Sequence, residues 1–256
     1  MNSFVSETQI KRRSTGFTLV EMLVVIAIMS ILMTAGAIGI GGMGGKGVSS
    51  GVATSEALFS EARTTAIGKS MRTCVLVAKT LTNSPADDLR RILVATEESE
   101  TDPTKSNFGQ AKDPLNKNPK WELTSRGTVL PDQTFFSAKY SKKEYKAGAA
   151  INTILSSQLL NPKSAFAGEY YIYQFNPQGI LTDPSATTYE GQASFIIGNG
   201  TRNLSKSSTT APPKVTSASK RDFGGFVIWR NGWASVFRSP DQMGADIKSL
   251  ASGTAF

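Results

Sequence analysis

The sequence predicts an α+β protein: a long hydrophobic N-terminal helix followed by a globular antiparallel β-sheet domain. Three observations carry that prediction. Residues 22–43 form an apolar run without a charge. Residues 52–71 repeat apolar side chains at three- and four-residue spacing. From Thr73 onward, short β-branched and aromatic runs alternate with turn residues. Apolar spacing near 3.6 marks a helix, whereas short β-branched runs bounded by Gly, Pro and Asn mark strands.

Composition excludes much chemistry. The 256 residues are 39% hydrophobic, enough for a core. There is no histidine, which removes Ser-His-Asp and Cys-His catalysis and any His-ligated metal. Cys74 is the single cysteine, so neither an intrachain disulfide nor a thiolate zinc cage is possible. The 28 Lys and Arg against 20 Asp and Glu give a net charge of +8, compatible with nucleic acid, anionic lipid or an acidic partner.

The N-terminal element opens with a polar leader carrying Lys11, Arg12 and Arg13, followed by Ser14-Thr15-Gly16 and Phe17-Thr18-Leu19-Val20-Glu21. The uncharged run then begins. At about 1.5 Å per residue it reaches roughly 33 Å, enough to span the ~30 Å hydrocarbon core of a bilayer. Basic residues on its N-terminal side predict a cytoplasmic N-terminus, with everything after Met43 on the far side. Glu21 is anomalous, because a carboxylate in a membrane helix costs up to ~3 kcal/mol at the bilayer centre and points to function. A free amine on Phe17, created by cleavage after Gly16, would partner it. The two lie one turn apart within a helix, and pairing between neighbouring chains would also set their register.

The segment Gly16-Phe17-Thr18-Leu19-Val20-Glu21-Met22-Leu23 and the apolar helix after it resemble the class III signal of the type IV pilin and type II secretion pseudopilin superfamily. The resemblance implies that a prepilin peptidase/methyltransferase removes residues 1–16, cutting between Gly16 and Phe17, and methylates Phe17. Glu21 falls on the assembly and registration position. The implied partners are that enzyme, other pilin or pseudopilin subunits, an inner-membrane assembly platform and the lipid bilayer. The implied location is the bacterial inner membrane, single-pass, with the C-terminal domain periplasmic and later part of a filament. Two other readings compete: a conventional secretory signal ending at Ala35-Gly36-Ala37, and a plain membrane anchor. Neither requires a carboxylate at position 21.

Residues 17–51 form the first expected unit after the leader. Its last 16 residues hold eight glycines, a weak helical preference in water and a segment expected to unwind in a filament. The Gly39–Gly44 stretch formally satisfies G-x-G-x-x-G, but no strand precedes it, and Gly47 rather than Ser or Thr follows Lys46. Residues 52–256 form the second unit. It begins with an amphipathic helix whose stripe is Leu58, Phe59, Ala62, Ala66 and Ile67. Strands are predicted at 73–79, 91–96, 121–123, 127–131, 170–175, 180–181 and 194–197. A helix is predicted over 142–160 from the spacing of Ile151, Ile154, Leu155 and Leu159. Asn176-Pro177-Gln178-Gly179 predicts a turn, and Asn231-Gly232 a two-residue type I′ hairpin between residues 225–230 and 233–238. Polar loops are expected at 98–120 and 199–221, the latter mobile.

The helix-to-strand junction at 58–67, Val129-Leu130-Pro131, Phe175–Gly179 and the terminal hairpin are similar to H-type minor pseudopilins and FimT-like pilins. This implies a minor, initiating or tip component of a pseudopilus or pilus. Lys139, Tyr140, Lys142, Lys143, Tyr145 and Lys146 interleave bases with aromatics, and Arg202 and Lys206 belong to a second basic cluster. A DNA-gripping role in an uptake machine is the corresponding alternative, against the reading of a solvated charged face. The adjacent acids Asp87-Asp88 and Glu97-Glu98 are expected to face water, and Asp241 and Asp246 lack a calcium-loop pattern. Cys74 is expected to be a small buried residue. No cofactor, metal site or catalytic residue is expected.

Overall fold

The structure, a computed structural model, describes residues 19–26, 28, 43–113, 118–143, 150–183, 192–202, 213–215, 222–237 and 242. The chain divides into two units, 1–43 and 44–256. In the first, residues 19–26 are helical. Among the described residues no helix is long and apolar enough to cross a membrane. Of the expected membrane run, residues 27 and 29–42 lie outside the described ones.

The second unit is led by helix α1, Met43–Lys69. Its buried stripe is Val48, Val52, Ser55, Phe59, Ala62 and Ala66, alternating four- and three-residue steps that keep one face inward. The Ser55 hydroxyl satisfies itself by donating to the Gly51 carbonyl at 2.7 Å. Ile67, expected on this stripe, is instead 45% exposed, and Leu58 is half-buried. The weak helical preference expected up to Gly51 does not prevent helix from Met43 onward, because packing compensates. A Cβ at Gly51 would sit 2.8 Å from Ile197 Cδ1, so the absent side chain lets α1 lie close to the sheet.

The strands form two antiparallel sheets. The first has the order β3–β2–β1–β7–β6, with β4 beside β2 and β8 beside β7. These are β1 Thr73–Leu81, β2 Arg91–Glu97, β3 Trp121–Leu123, β4 Thr128–Val129, β6 Thr153–Leu155, β7 Gly168–Phe175 and β8 Leu181–Thr182. The second has the order β11–β10–β9–β5, made of β5 Thr134–Phe136, β9 Ala193–Asn199, β10 Phe223–Ile228 and β11 Ala234–Val236. The helix stripe closes one core over both sheets. Phe59 stands at its centre with its ring 5.1 Å from Tyr173, 5.3 Å from Phe195 and 5.2 Å from Phe226, all edge-on.

Strand β1 explains why the first sheet has two buried faces. Val75 and Val77 point into the α1 core, while Cys74, Leu76 and Ala78 join a second cluster with Trp121, Leu159, Phe166 and Tyr170. Cys74 is fully buried as expected, and burial pushes its thiol pKa up. Leu159, from the segment expected to be helical, and Phe166 pack on this second face. Residues 142–160 instead contain β6, paired with β7 through Ile154↔Tyr170, and a 3-10 turn over Ser156–Gln158. Ile151 enters the α1 core, Leu159 enters the second cluster, and Leu155 is 60% exposed. Helical spacing was fortuitous there: pairing to an open sheet edge satisfies the backbone just as well.

Two further differences are local. Asn231 does not adopt positive φ, whereas Gly232 does, at +79°. Gly232 N–H donates to the Trp229 carbonyl and Trp229 N–H to the Trp233 carbonyl, both at 2.8 Å. The hairpin loop is therefore Arg230-Asn231-Gly232, a three-residue turn ending in a left-handed glycine rather than type I′. The polar stretch after residue 98 is ordered where described: Ser99 bridges Ala111, and Glu98–Lys112 and Glu100–Lys105 pair at 2.7 Å. Of 199–221, Thr201 bridges Lys214 and Val215 is buried beside Phe223. Residues 203–212 and 216–221 lie outside the described ones.

Candidate functional site

The expected assembly element begins at the expected processing site. Gly16 and Phe17 lie outside the described residues. Glu21 is within the helical stretch 19–26, exposed and flanked by apolar side chains. Leu19, Val20, Met22, Leu23 and Ile26 are each at least half exposed, with Leu19 at 81% and Ile26 at 64%. Apart from Glu21 the stretch is apolar, and exposed apolar side chains favour lipid or other helices around them over water.

The basic residues distribute themselves differently from the expected nucleic-acid face. Lys143 Nζ pairs with the buried carboxylate of Asp183, so this cation serves the domain itself. Tyr140 is buried, with its ring 5.8 Å from Phe223, and Lys139 lies over the Tyr140 ring at 5.6 Å. The Lys142 backbone pairs with β9, accepting from Ser194 N–H at 2.8 Å. Lys146 and Lys206 lie outside the described residues. Arg202 is laid over Phe135, 5.0 Å from the ring centroid, and donates to the Pro85 carbonyl at 3.0 Å. Burial lowers its guanidinium pKa.

The acidic pairs do not both face water. Asp87 pairs with Arg91 and Glu97 is buried against Arg72. Asp88 is buried, and its Oδ1 accepts from Leu81 N–H at 2.6 Å. Burial pushes the Asp88 carboxyl from 3.8 up to about 6, partly opposed by the Leu81 hydrogen bond and the nearby Arg202 charge. The sign follows directly. A folded-state pKa above the unfolded value means the fold favours the protonated acid, so its contribution is complete below pH ~4 and is lost as pH rises through about 6. Asp88→Asn keeps the carbonyl acceptor and removes the charge. Thermal unfolding across pH is expected to place the variant level with the parent at pH ~4 and a few degrees above it at pH ~7.5. Equal stability at both pH values would contradict this account. No cluster of potential metal ligands occurs among the described residues. Asp241 and Asp246 lie outside them.

One surface was not singled out from the sequence. Trp233 is 61% exposed and Trp229 38%, opposite one another at the end of the β10–β11 hairpin. Arg63 of α1 reaches this hairpin, with its guanidinium 4.8 Å from the Trp233 ring and Nε donating to the Asn231 carbonyl at 3.0 Å. The turn comes close enough to Gly179 that a Cβ on Gly232 would meet the Gly179 carbonyl oxygen at 2.2 Å. The aromatic hairpin was legible in the sequence. Its clamping by a helix arginine depends on residues 168 positions apart.

Comparison with known proteins bears on the N-terminal element. Residues 11–37 match the family described as the prokaryotic N-terminal methylation motif. No curated protein matches the chain. Among solved structures, the chain is similar to the type IV minor pilin FimU of Pseudomonas aeruginosa. The likeness has 11% identity, covers 74% of this chain and 87% of that one, and has a TM-score of 0.33. The matched residues contain Gly16, Phe17, Glu21 and the start of the apolar run, so the chain carries the prokaryotic N-terminal methylation motif across the segment expected to direct processing and assembly.

Proposed function

We propose that this chain is a structural subunit of a type II secretion pseudopilus or type IV pilus, present as a minor component. It inserts in the inner membrane with its N-terminus cytoplasmic, loses residues 1–16 to a prepilin peptidase and is methylated on Phe17. Bundled apolar helices then bury the run after Glu21, and the Glu21 carboxylate neutralises the terminal amine of an adjacent subunit. The observation that carries this reading is the methylation motif, in which a carboxylate stands immediately before an uncharged apolar run. The all-round exposure of apolar side chains on 19–26 supports it, since such a helix calls for an apolar environment.

N-terminal sequencing with mass analysis of the protein from its native membrane tests the proposal. The expected mature end is N-methylated Phe17. A mature chain beginning at Ile38 would instead establish ordinary secretory cleavage, and an intact Met1 end would leave a simple anchor.

A further inference from the structure

Lys143, Asn152 and Asp183 come from three parts of the chain and meet beside the junction of the two sheets. Lys143 follows a residue whose backbone is paired to Ser194 of β9. The Asn152 carbonyl accepts from Ile172 N–H of β7 at 2.9 Å, and Asp183 directly follows β8. The Asp183 side chain is almost fully buried, while Lys143 and Asn152 are half-buried. Asp183 Oδ2 accepts from Lys143 Nζ at 2.5 Å, and Oδ1 accepts from Asn152 Nδ2 at 2.5 Å. Around them Ile151, Ile172, Tyr173 and Leu181 line a cavity of about 20 Å³, room for a single water at most. An amine, a carboxamide and a carboxylate are thus held together against an apolar wall.

We propose that Lys143 and Asn152 become joined by an intramolecular amide, with Asp183 carrying the protons. Asp183 takes a proton from the Lys143 ammonium through Oδ2, leaving a lone pair on Nζ. Nζ attacks Asn152 Cγ, forming one C–N bond. The tetrahedral adduct collapses by breaking the Cγ–Nδ2 bond, as Nζ gives up a second proton and Nδ2 gains one. Ammonia departs, takes the remaining proton from Asp183 as ammonium, and the carboxylate is restored. One C–N bond forms and one breaks, nothing is oxidised or reduced, and no co-reactant is needed.

The geometry supplies what this reaction lacks in water. Aminolysis of an unactivated amide is slow between free partners, but fixed neighbours act at effective concentrations of about 10⁵–10⁸ M. The leaving nitrogen is the one already hydrogen-bonded to the proton carrier. The near-dry cavity also limits the water that would compete for Cγ. A chain with one cysteine has no intrachain disulfide, and such an amide would be a covalent staple independent of redox conditions. The inference rests on these three side chains and not on the filament reading.

The test is made on the full chain purified in detergent, unfolded and analysed by intact-mass and peptide-mapping spectrometry. The expected result is a deficit of one ammonia and a single branched peptide joining Lys143 to Asn152. Lys143→Arg and Asp183→Asn are each expected to restore the full mass and the linear peptides. Linear peptides carrying unmodified Lys143 and Asn152 from the parent chain would overturn the proposal. So would a branch through Asp183 with loss of water, or a deficit that survives Lys143→Arg. The parent chain alone decides, so a variant that fails to fold does not obscure the answer.

Discussion

Glu21→Ala is expected to be cleaved after Gly16 normally and yet to be almost absent from sheared filaments. On the proposed reading, cleavage depends on the small residue at 16, which the substitution does not touch. Incorporation is different, because the carboxylate is expected to meet a terminal amine inside a bundle of apolar helices. Removing one member of a buried charge pair leaves the other unpaired and typically costs about 2–5 kcal/mol. That corresponds to a loss of at least tenfold in subunit association. The measurement is immunoblotting of the sheared and membrane fractions. Normal amounts of the variant in the sheared fraction would remove the electrostatic part of the mechanism while leaving the processing site intact.

Phe59→Ala is expected to destabilise the C-terminal unit by about 3–5 kcal/mol in denaturant unfolding, the range for deleting a fully buried aromatic ring. Phe59 is 1% exposed and touches rings from both sheets, so its loss opens a void where α1, β7, β9 and β10 meet. Phe59→Leu refills part of that volume and should cost noticeably less. Ile67→Ala is the control on the same helix. Although helical spacing alone assigns Ile67 to the same stripe, it is 45% exposed and its loss should stay within about 0.5 kcal/mol. Similar losses at the two positions would mean that α1 packs on a different face.

The legible parts of the fold were those governed by local chemistry. β1, β2 and β7 fall within two residues of the predicted strands, because uninterrupted β-branched and aromatic runs leave few alternatives. The turn at 176–179 followed from Pro177 and Gly179, and Gly179 takes φ +72°. By contrast, β5 is three residues long, too short for a period to register. Residues 151–159 carried helical spacing and became a strand and a turn, since the choice was made by the open edge of β7. The hairpin glycine was placed correctly, but which residues flank it in the turn depended on the β10–β11 register.

The candidate sites divide in the same way. Gly16, Phe17 and Glu21 stand in a linear motif that local residue types alone define, and the proposed processing and assembly would use it before any tertiary structure matters. Lys143 and Arg202 looked like members of basic surface clusters, since net charge counts residues without saying what faces them. Only the fold put Asp183 against Lys143 and Phe135 under Arg202. Asp88 and Glu97 passed for solvated acids until strand pairing buried them.

By itself the sequence determined the N-terminal signal, the absence of histidine and disulfide chemistry, and the alternation of helix, strands and turns. All of these depend on residue type and short-range spacing. The tertiary structure alone decided the division into two sheets, the two-sided burial of β1 and the meeting of Lys143, Asn152 and Asp183. These depend on contacts between residues far apart in the chain, where burial and backbone pairing outweigh local preference.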